Sequence, residues 1–425
     1  MARVMSVHLS VRVACRLVVP LLVVCAASWS LACAQDTQAA PGAGRYAHDV
    51  ADAVPRIERA VGLKFKRPPR VEPRSKAEVH AFLEKEFATS HAQRDLEGSE
   101  IANKMFGLIP DSMNLRAELE NLLTEQIVGF YDPKTKVLYI VDGAPATEVT
   151  TVISHELVHA LQDQYMNLDS LQSIEGDDDR AAAAQAVIEG QAVFDQLVAM
   201  SGTRNFMTMI PGGWDGIRQQ IRENQGAMPT FANAPMVLQE TLIFPYLSGA
   251  EFMRDFDVHS PGKQPYGDMP TSTQQVLHPD EDYFGHRAVP LRVTLPPPAS
   301  GPSHVKYAND MGEFTTRLFL FQHLGDQAAA IRGAAGWAGD EYEVIDTPQG
   351  NALVWVTVWN SSVSAGQFRD QLLQTVTARY GAHPKRAVTV SAVEISGHPG
   401  VIYIDGPTGS AGAKLVDVTK ITAGG

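Results

Sequence analysis

The chain has 425 residues, enough for two or three domains, with 44% apolar and 20% charged side chains, the composition of a globular protein. Its 35 basic and 48 acidic side chains give a formal charge of −13, and a surface of that sign repels a phosphate backbone, which argues against nucleic acid as a partner. All three cysteines, Cys15, Cys25 and Cys33, fall in the first 33 residues, so the remainder has no disulfide, no thiol nucleophile and no cysteine-ligated metal. Any metal there must be held by His, Asp or Glu.

Arg3, Arg12 and Arg16 precede an uncharged run from Leu17 to Ala34 that is broken by Pro20 and ends in Ala32-Cys33-Ala34. A basic start, an apolar middle and a small-x-small exit make a secretory signal cleaved after Ala34. Two alternatives stay open. The run is just long enough to span a bilayer uncleaved, and Ser30-Leu31-Ala32-Cys33 partly matches a bacterial lipobox with Leu one place late, which would put a lipid anchor on Cys33. No later stretch is long and apolar enough to cross a membrane, so the mature chain is expected to be exported, periplasmic or secreted, with no membrane span.

Residues 35–45 are rich in Ala, Gly and Gln and read as a flexible lead-in. Residues 46–126 read as mostly helical, with helices over Ala77–Phe87 and Asn114–Ile127. The period then changes. Ile127–Tyr131 and Val137–Val141 are β-rich runs joined by Asp132-Pro133-Lys134-Thr135-Lys136, which is turn chemistry, so a hairpin is predicted. A helix follows, opened by Pro145 and Thr147, with Thr147 as N-cap, and running to about Tyr165. Ile153, Leu157 and Leu161 form its core face. Glu175–Asp179 reads as an acidic loop and Ala181–Met200 as a long helix. Residues 201–234 carry no clear period. Pro235–Phe256 reads as a helix kinked at Pro245.

Leu295–Ser303 is Pro-rich and is the best linker. Beyond it the pattern becomes α+β: a strand over Ala352–Trp359, a helix over Ser364–Tyr380, and strands over Val388–Val393 and Val401–Asp405. Gly336–Asp340 reads as a tight turn with a packed Trp. Lys64–Arg70 reads as a solvated basic loop.

The chemistry concentrates at residues 155–189. His155-Glu156-Leu157-Val158-His159 is H-E-x-x-H within a predicted helix. Chance supplies about 0.02 such motifs in a chain with 13 histidines, so the spacing is informative. Residues four apart share one helical face, about 5–6 Å between Cβ atoms, so both imidazoles can reach one Zn²⁺. A carboxylate completing the set leaves a position open for a water that becomes ionisable near neutral pH. Glu156 can take that water's proton and pass it to the leaving amine. A third histidine six residues after His159 is absent, since Tyr165 stands there. Glu189 is the better third ligand, at the centre of the Ala181–Met200 helix. Gly190 beside it costs about 0.5–1 kcal/mol in a helix, a cost explained if this helix approaches the zinc helix closely. The acids Glu175, Asp177, Asp178 and Asp179 are the competing ligands.

His155–Gln164 together with Glu189-Gly190-Gln191-Ala192 resembles the gluzincin metallopeptidases, the thermolysin-like branch of the zincins, and the motif resemblance covers roughly residues 127–200. More loosely, Gly129–Pro133 and Ser272–Pro279 are similar to exported bacterial proteins of this type. The resemblance implies His155, His159 and Glu189 as zinc ligands and Glu156 as general base. It also implies that the hairpin's outer strand lines the cleft and pairs with an extended peptide. In thermolysin an Asp four residues after the ligand Glu steadies a His ligand. Val193 stands there here, leaving that partner unassigned. The donor to the oxyanion falls among His278, Tyr246, Tyr266 and Tyr283, with His278 preferred for its loop position. Aminopeptidases of the clan that the chain resembles carry a Gly-x-Met-Glu-Asn segment that holds the substrate amine, and its absence here makes endopeptidase action what the resemblance implies.

The expectation is therefore an α+β chain: signal peptide 1–34, lead-in 35–45, zincin-like catalytic domain 46–295 and a smaller α+β domain 304–425 of unassigned role. Its expected activity is zinc-dependent hydrolysis of peptide bonds in a peptide or protein substrate. The alternatives are a non-catalytic peptide-binding protein on a zincin scaffold, and a zinc hydrolase of a non-peptide amide.

Overall fold

The computed structural model describes residues 44–171, 174–206, 216, 228–299, 302–381, 385–409 and 415–425. The export segment, its cleavage site, Cys33 and the lead-in as far as residue 43 lie outside the described residues, as does most of 201–234.

The first part is largely helical. Helix α1 (Ala47–Val61) leads to strand β1 (Arg70–Arg74), then to α2 (Lys76–Phe87), α3 (Ser90–Phe106) and α4 (Leu115–Gln126). Ser75 and Glu78 close a capping box that starts α2, and Asn114 caps α4 through the Ala117 N–H. The expected hairpin is present as β2 (Gly129–Asp132) and β3 (Val137–Val141), with Lys136 at φ 60 completing the turn. The sheet order is β1-β3-β2, with β1 parallel and β2 antiparallel to β3, so β2 is an edge. Sequence reading missed β1.

Helix α5 (Ala146–Gln162) starts at Ala146 with Pro145 at its N-cap, so Thr147 lies inside the first turn instead of capping it, and the helix ends three residues short of Tyr165. Its face of Val149, Val152, Ile153, Leu157 and Leu161 packs with Ile57 and Val61 of α1 and Leu138 and Ile140 of β3. Helix α6 (Asp178–Ser201) begins earlier than expected, because Asp177 caps it through the Arg180 N–H, and so absorbs the end of the acidic loop. Helix α7 (Met236–His259) contains Pro245, and the short α8 (Thr273–Leu277) follows.

The second part comprises β4 (Arg292–Thr294), β5 (His304–Asn309), α9 (Gly312–Leu324), α10 (Gln327–Ala334), β6 (Trp337–Thr347), β7 (Gly350–Trp359), α11 (Ser362–Tyr380), β8 (Ala387–Ile395), β9 (His398–Gly406) and β10 (Thr422–Gly424). Five strands form an antiparallel sheet in the order β5-β6-β7-β9-β8, and β10 pairs with β4. Both faces of β7 are covered. Val354, Val356 and Val358 meet Ile402, Ile404 and Val293, while Trp355 and Trp359 pack edge-on or stacked on Phe368. Gly336–Asp340 is not the expected tight turn: from Trp337 onward it is the start of β6, paired with β7, and Asp340 accepts from the indole N–H of both Trp337 and Trp355.

The architecture is α+β, as expected. The division at 295–303 is less sharp than the Pro-rich composition suggests. Phe106 of α3 makes edge contacts with Tyr342, Trp355 and Phe319, and one apolar cluster runs through both parts. Strand β4, on the N-terminal side of that segment, pairs with β10 at the end of the chain. The segment therefore connects layers that share a core. Among the described residues no helix is long and apolar enough to cross a membrane.

Candidate metal centre

Because the apolar stripe of α5 is buried against α1 and the small sheet, the opposite face of that helix, carrying His155 and His159, meets α6. Glu189 projects from α6 to the same point. His155 Nε2, His159 Nε2 and Glu189 Oε2 lie 3.2 Å from one another on all three sides. The side chains are nearly inaccessible: His155 is 2% exposed, His159 6% and Glu189 2%.

The glutamines around the histidines decide which nitrogens carry protons. Gln162 donates both amide hydrogens away from His159, to Ile188 O at 3.0 Å and to Gln191 Oε1 at 2.9 Å. Its oxygen must then face His159 Nδ1, at 2.9 Å, and accept from it. Gln196 repeats the arrangement, with its amide nitrogen 3.3 Å from Thr151 O and its oxygen 3.2 Å from His155 Nδ1. Both imidazoles are thereby held with Nδ1 protonated and the Nε2 lone pair directed inward. These are the partners that Val193 could not supply. Gln185 fixes the carboxylate, donating to Glu189 Oε1 at 2.7 Å.

Three inward lone pairs at such separations repel unless a cation, a metal ion or the proton of His159, lies among them. Three ligand atoms on a tetrahedral zinc with bonds of about 2.0–2.1 Å stand about 3.3 Å apart, close to the separations found. The donor set therefore fits a divalent metal. Among the described residues it is the one group of three His, Cys, Asp or Glu side chains with ligand atoms so convergent. The acids of 175–179 do not join it.

Without the metal, the group balances its charges internally. Burial lowers the His159 imidazole, but the Glu189 carboxylate outweighs it and carries His159 up to about 9. Burial raises Glu189, but the imidazoles overcome it and hold the carboxyl down at about 2. His155 is lowered, chiefly by burial.

Glu156 is 1% exposed and belongs to a different environment. Its Oε2 accepts the Tyr131 N–H of the edge strand β2 at 2.7 Å. Its Oε1 is buried and has no hydrogen-bond partner. Burial pushes the carboxyl up to about 8, opposed by His159 and reinforced by Glu189. The unpaired side of β2 is thus turned towards this residue. Tyr131 is anchored from its hydroxyl, which donates to Asp163 Oδ2 at 2.8 Å.

Two expectations are corrected. Gly190 does serve a close approach, but to α7: a Cβ there would overlap the backbone of Gly249, whose own Cβ would overlap Ala186 O. His278 is not part of the convergent group. It bonds Glu313 Oε1 at 2.9 Å and stands 2.8 Å from Arg317. It ends α8, which is tied to Asp179, ten residues and about 15 Å along α6 from Glu189. Tyr283 is also elsewhere, donating to Asp268 O, and Tyr266 donates to Gln191 Oε1 behind the ligands. Tyr246 is the candidate brought close, its ring centroid 6.1 Å from that of His155. The amide partners were missed although Gln162 stands three residues from His159 on one helix face.

Residues 303–412 match a family described as a domain of unknown function (DUF8575). That match covers the large C-terminal sheet and its helices, and leaves the metal group outside. No curated protein and no solved structure matches the chain.

Proposed function

We propose that this chain is an exported zinc-dependent metallopeptidase, built on a zincin-like domain of the gluzincin type and hydrolysing peptide bonds within a protein or peptide substrate. The observation that carries this reading is the convergence of His155 Nε2, His159 Nε2 and Glu189 Oε2 at 3.2 Å separations, with a second buried acid, Glu156, turned to the edge strand instead of to that point.

Bound there, zinc supplies a Lewis acid that polarises a carbonyl and makes water ionisable near neutral pH. Glu156 moves the protons. Its Oε2 is pinned by the Tyr131 N–H, which leaves Oε1 to take a proton from the attacking water and return it to the leaving amine nitrogen. Burial raises that carboxyl in the metal-free protein, and a cation held beside it would bring it back down, so that it can serve as a base near neutral pH. Gln162 and Gln196 hold the imidazoles in the ligating tautomer. Tyr246, beside His155, takes the place of His278 as the candidate donor to the oxyanion. The edge of β2 is the strand against which an extended peptide would lie.

The near-complete burial of the group favours a second reading, a metal that only braces α5 against α6 in a peptide-binding protein. Against it stands Glu156, a buried acid that braces nothing through Oε1. Metal analysis of the purified full chain tests the centre. The reading expects about one zinc per chain, lost in His159→Ala and Glu189→Ala. A different metal in the protein as isolated, or zinc retained in both variants, contradicts it.

A further inference from the structure

A cavity of about 120 Å³ lies between α3, α6, α7 and the start of the C-terminal sheet domain. It adjoins the metal group through one side chain. Gln185 forms part of its wall and donates to Glu189 Oε1 at 2.7 Å. On α7 the wall includes Pro245, next to Tyr246, whose ring stands 6.1 Å from that of His155. From Gln185 the α6 wall runs two turns, about 10 Å, back to Asp178.

The lining divides by chemistry. Phe106, Phe244, Phe314 and Tyr342 supply aromatic walls, with Phe244 and Phe314 stacked at 4.1 Å between centroids. Among the described residues, the charged ones lining the cavity are Asp178 and Asp310, with no Lys, Arg or His. Further acids stand behind them. Burial first, then the charges of Asp340, Asp177, Asp179 and Asp178, push the Asp310 carboxyl well above its ordinary range. A cation placed among these groups would relieve that repulsion. Aromatic faces favour a cation as well, and an apolar stem suits the rest of the wall.

We propose that this cavity is a recognition subsite for a basic side chain, Lys or Arg, of the bound peptide, with Asp178 and Asp310 holding its cationic head. The second wall comes from Asp310, Phe314 and Tyr342, all within the segment 303–412, so the C-terminal domain becomes part of substrate selection. The inference rests on the peptidase reading only in taking the ligand to be part of a peptide.

The test is calorimetric binding to the zinc-loaded full chain of two probes, Nα-acetyl-arginine amide and the neutral Nα-acetyl-norleucine amide. The expected result is at least a tenfold preference for the arginine probe. Asp310→Asn retains an oxygen for the Asp179 N–H, which Asp310 Oδ1 now accepts at 2.8 Å, so the helix start keeps its cap. That variant, and Asp178→Asn, should lose the preference while keeping their zinc and their affinity for norleucine amide. Equal binding of the two probes, no measurable binding of the arginine probe at millimolar concentration, or a preference unchanged in both variants overturns the subsite. Cleavage is read separately. A chain that binds the arginine probe through these acids but cleaves no peptide sinks the peptidase reading alone, whereas cleavage without the charge preference sinks the subsite alone.

Discussion

Gly190 lies against Gly249 with no room for a side chain on either, so the helix that carries Glu189 and the helix that carries Tyr246 touch backbone to backbone. The residue next to a proposed ligand is thereby locked to the frame. Gly190→Ala places a methyl group on main-chain atoms that cannot rotate away, and overpacking of this kind costs about 1–3 kcal/mol or more. Chemical denaturation should show a loss at the upper end of that range. Gly366→Ala, in α11 with open space around it, should instead raise stability by about 0.5–1 kcal/mol. Equal effects at the two positions would contradict the packing argument.

Gln162 should control metal affinity without touching the metal. Gln162→Met keeps much of the volume and removes the acceptor facing His159 Nδ1, 2.9 Å away in the native arrangement. Partners of ligating histidines are typically worth 10–100-fold in affinity. Competition with a chromophoric chelator should report a weakening of that order, and Gln196→Met should behave alike. Unchanged affinity in both would remove the tautomer argument.

Zinc binding should release a proton. In the metal-free protein His159 is raised from 6.5 to about 9, so it is protonated through neutral pH, and its contribution to stability is full below 6.5 and lost as the pH rises through about 9. Zinc takes the neutral imidazole. Apparent affinity should therefore climb about tenfold per pH unit from 7 to 9 and then level, with about one proton released per zinc at pH 7.5 in calorimetry across buffers of different ionisation heat. A flat profile would show that His159 is already neutral.

Glu189 and the acids before it should separate cleanly. Glu189→Ala should lose metal. Glu175→Ala, exposed and outside the convergent group, should keep it. The opposite result would move the third ligand to the 175–179 segment.

Much of this arrangement was legible because its signals are local. The hairpin shows in a β-rich run, a turn and a second run, and α5 shows in the Ile153, Leu157, Leu161 repeat that also puts the histidines on the other face. Glu189 could be singled out because Gly190 is unexpected inside a helix. Which helix that glycine meets could not be read, since Gly249 lies 59 positions later and no periodicity links the two. Strand β1 was hidden for a related reason. Arg70, Glu72, Pro73 and Arg74 lack β character, and the strand exists because Val137–Val141 pairs with it from far along the chain. Strands β7, β8 and β9 were placed to within a few residues, while β5 and β6 were not read from the sequence, and burial of both faces of β7 depends on Phe368 on one side and Ile402 and Ile404 on the other. Gln162 and Gln196 carry no reactive chemistry, so nothing in composition marks them until the imidazoles are in place.

The most direct test is a paired measurement on Glu156→Gln, a nearly isosteric change that keeps an acceptor for the Tyr131 N–H and removes the base. Zinc content and cleavage of an unfolded protein substrate are measured on the same preparations of the wild type and the variant. The account predicts about one zinc per chain in both, and cleavage by the wild type that falls about 10²–10⁴-fold in the variant. Equal cleavage by the two proteins, or a wild type that binds zinc and cleaves no peptide, would contradict it.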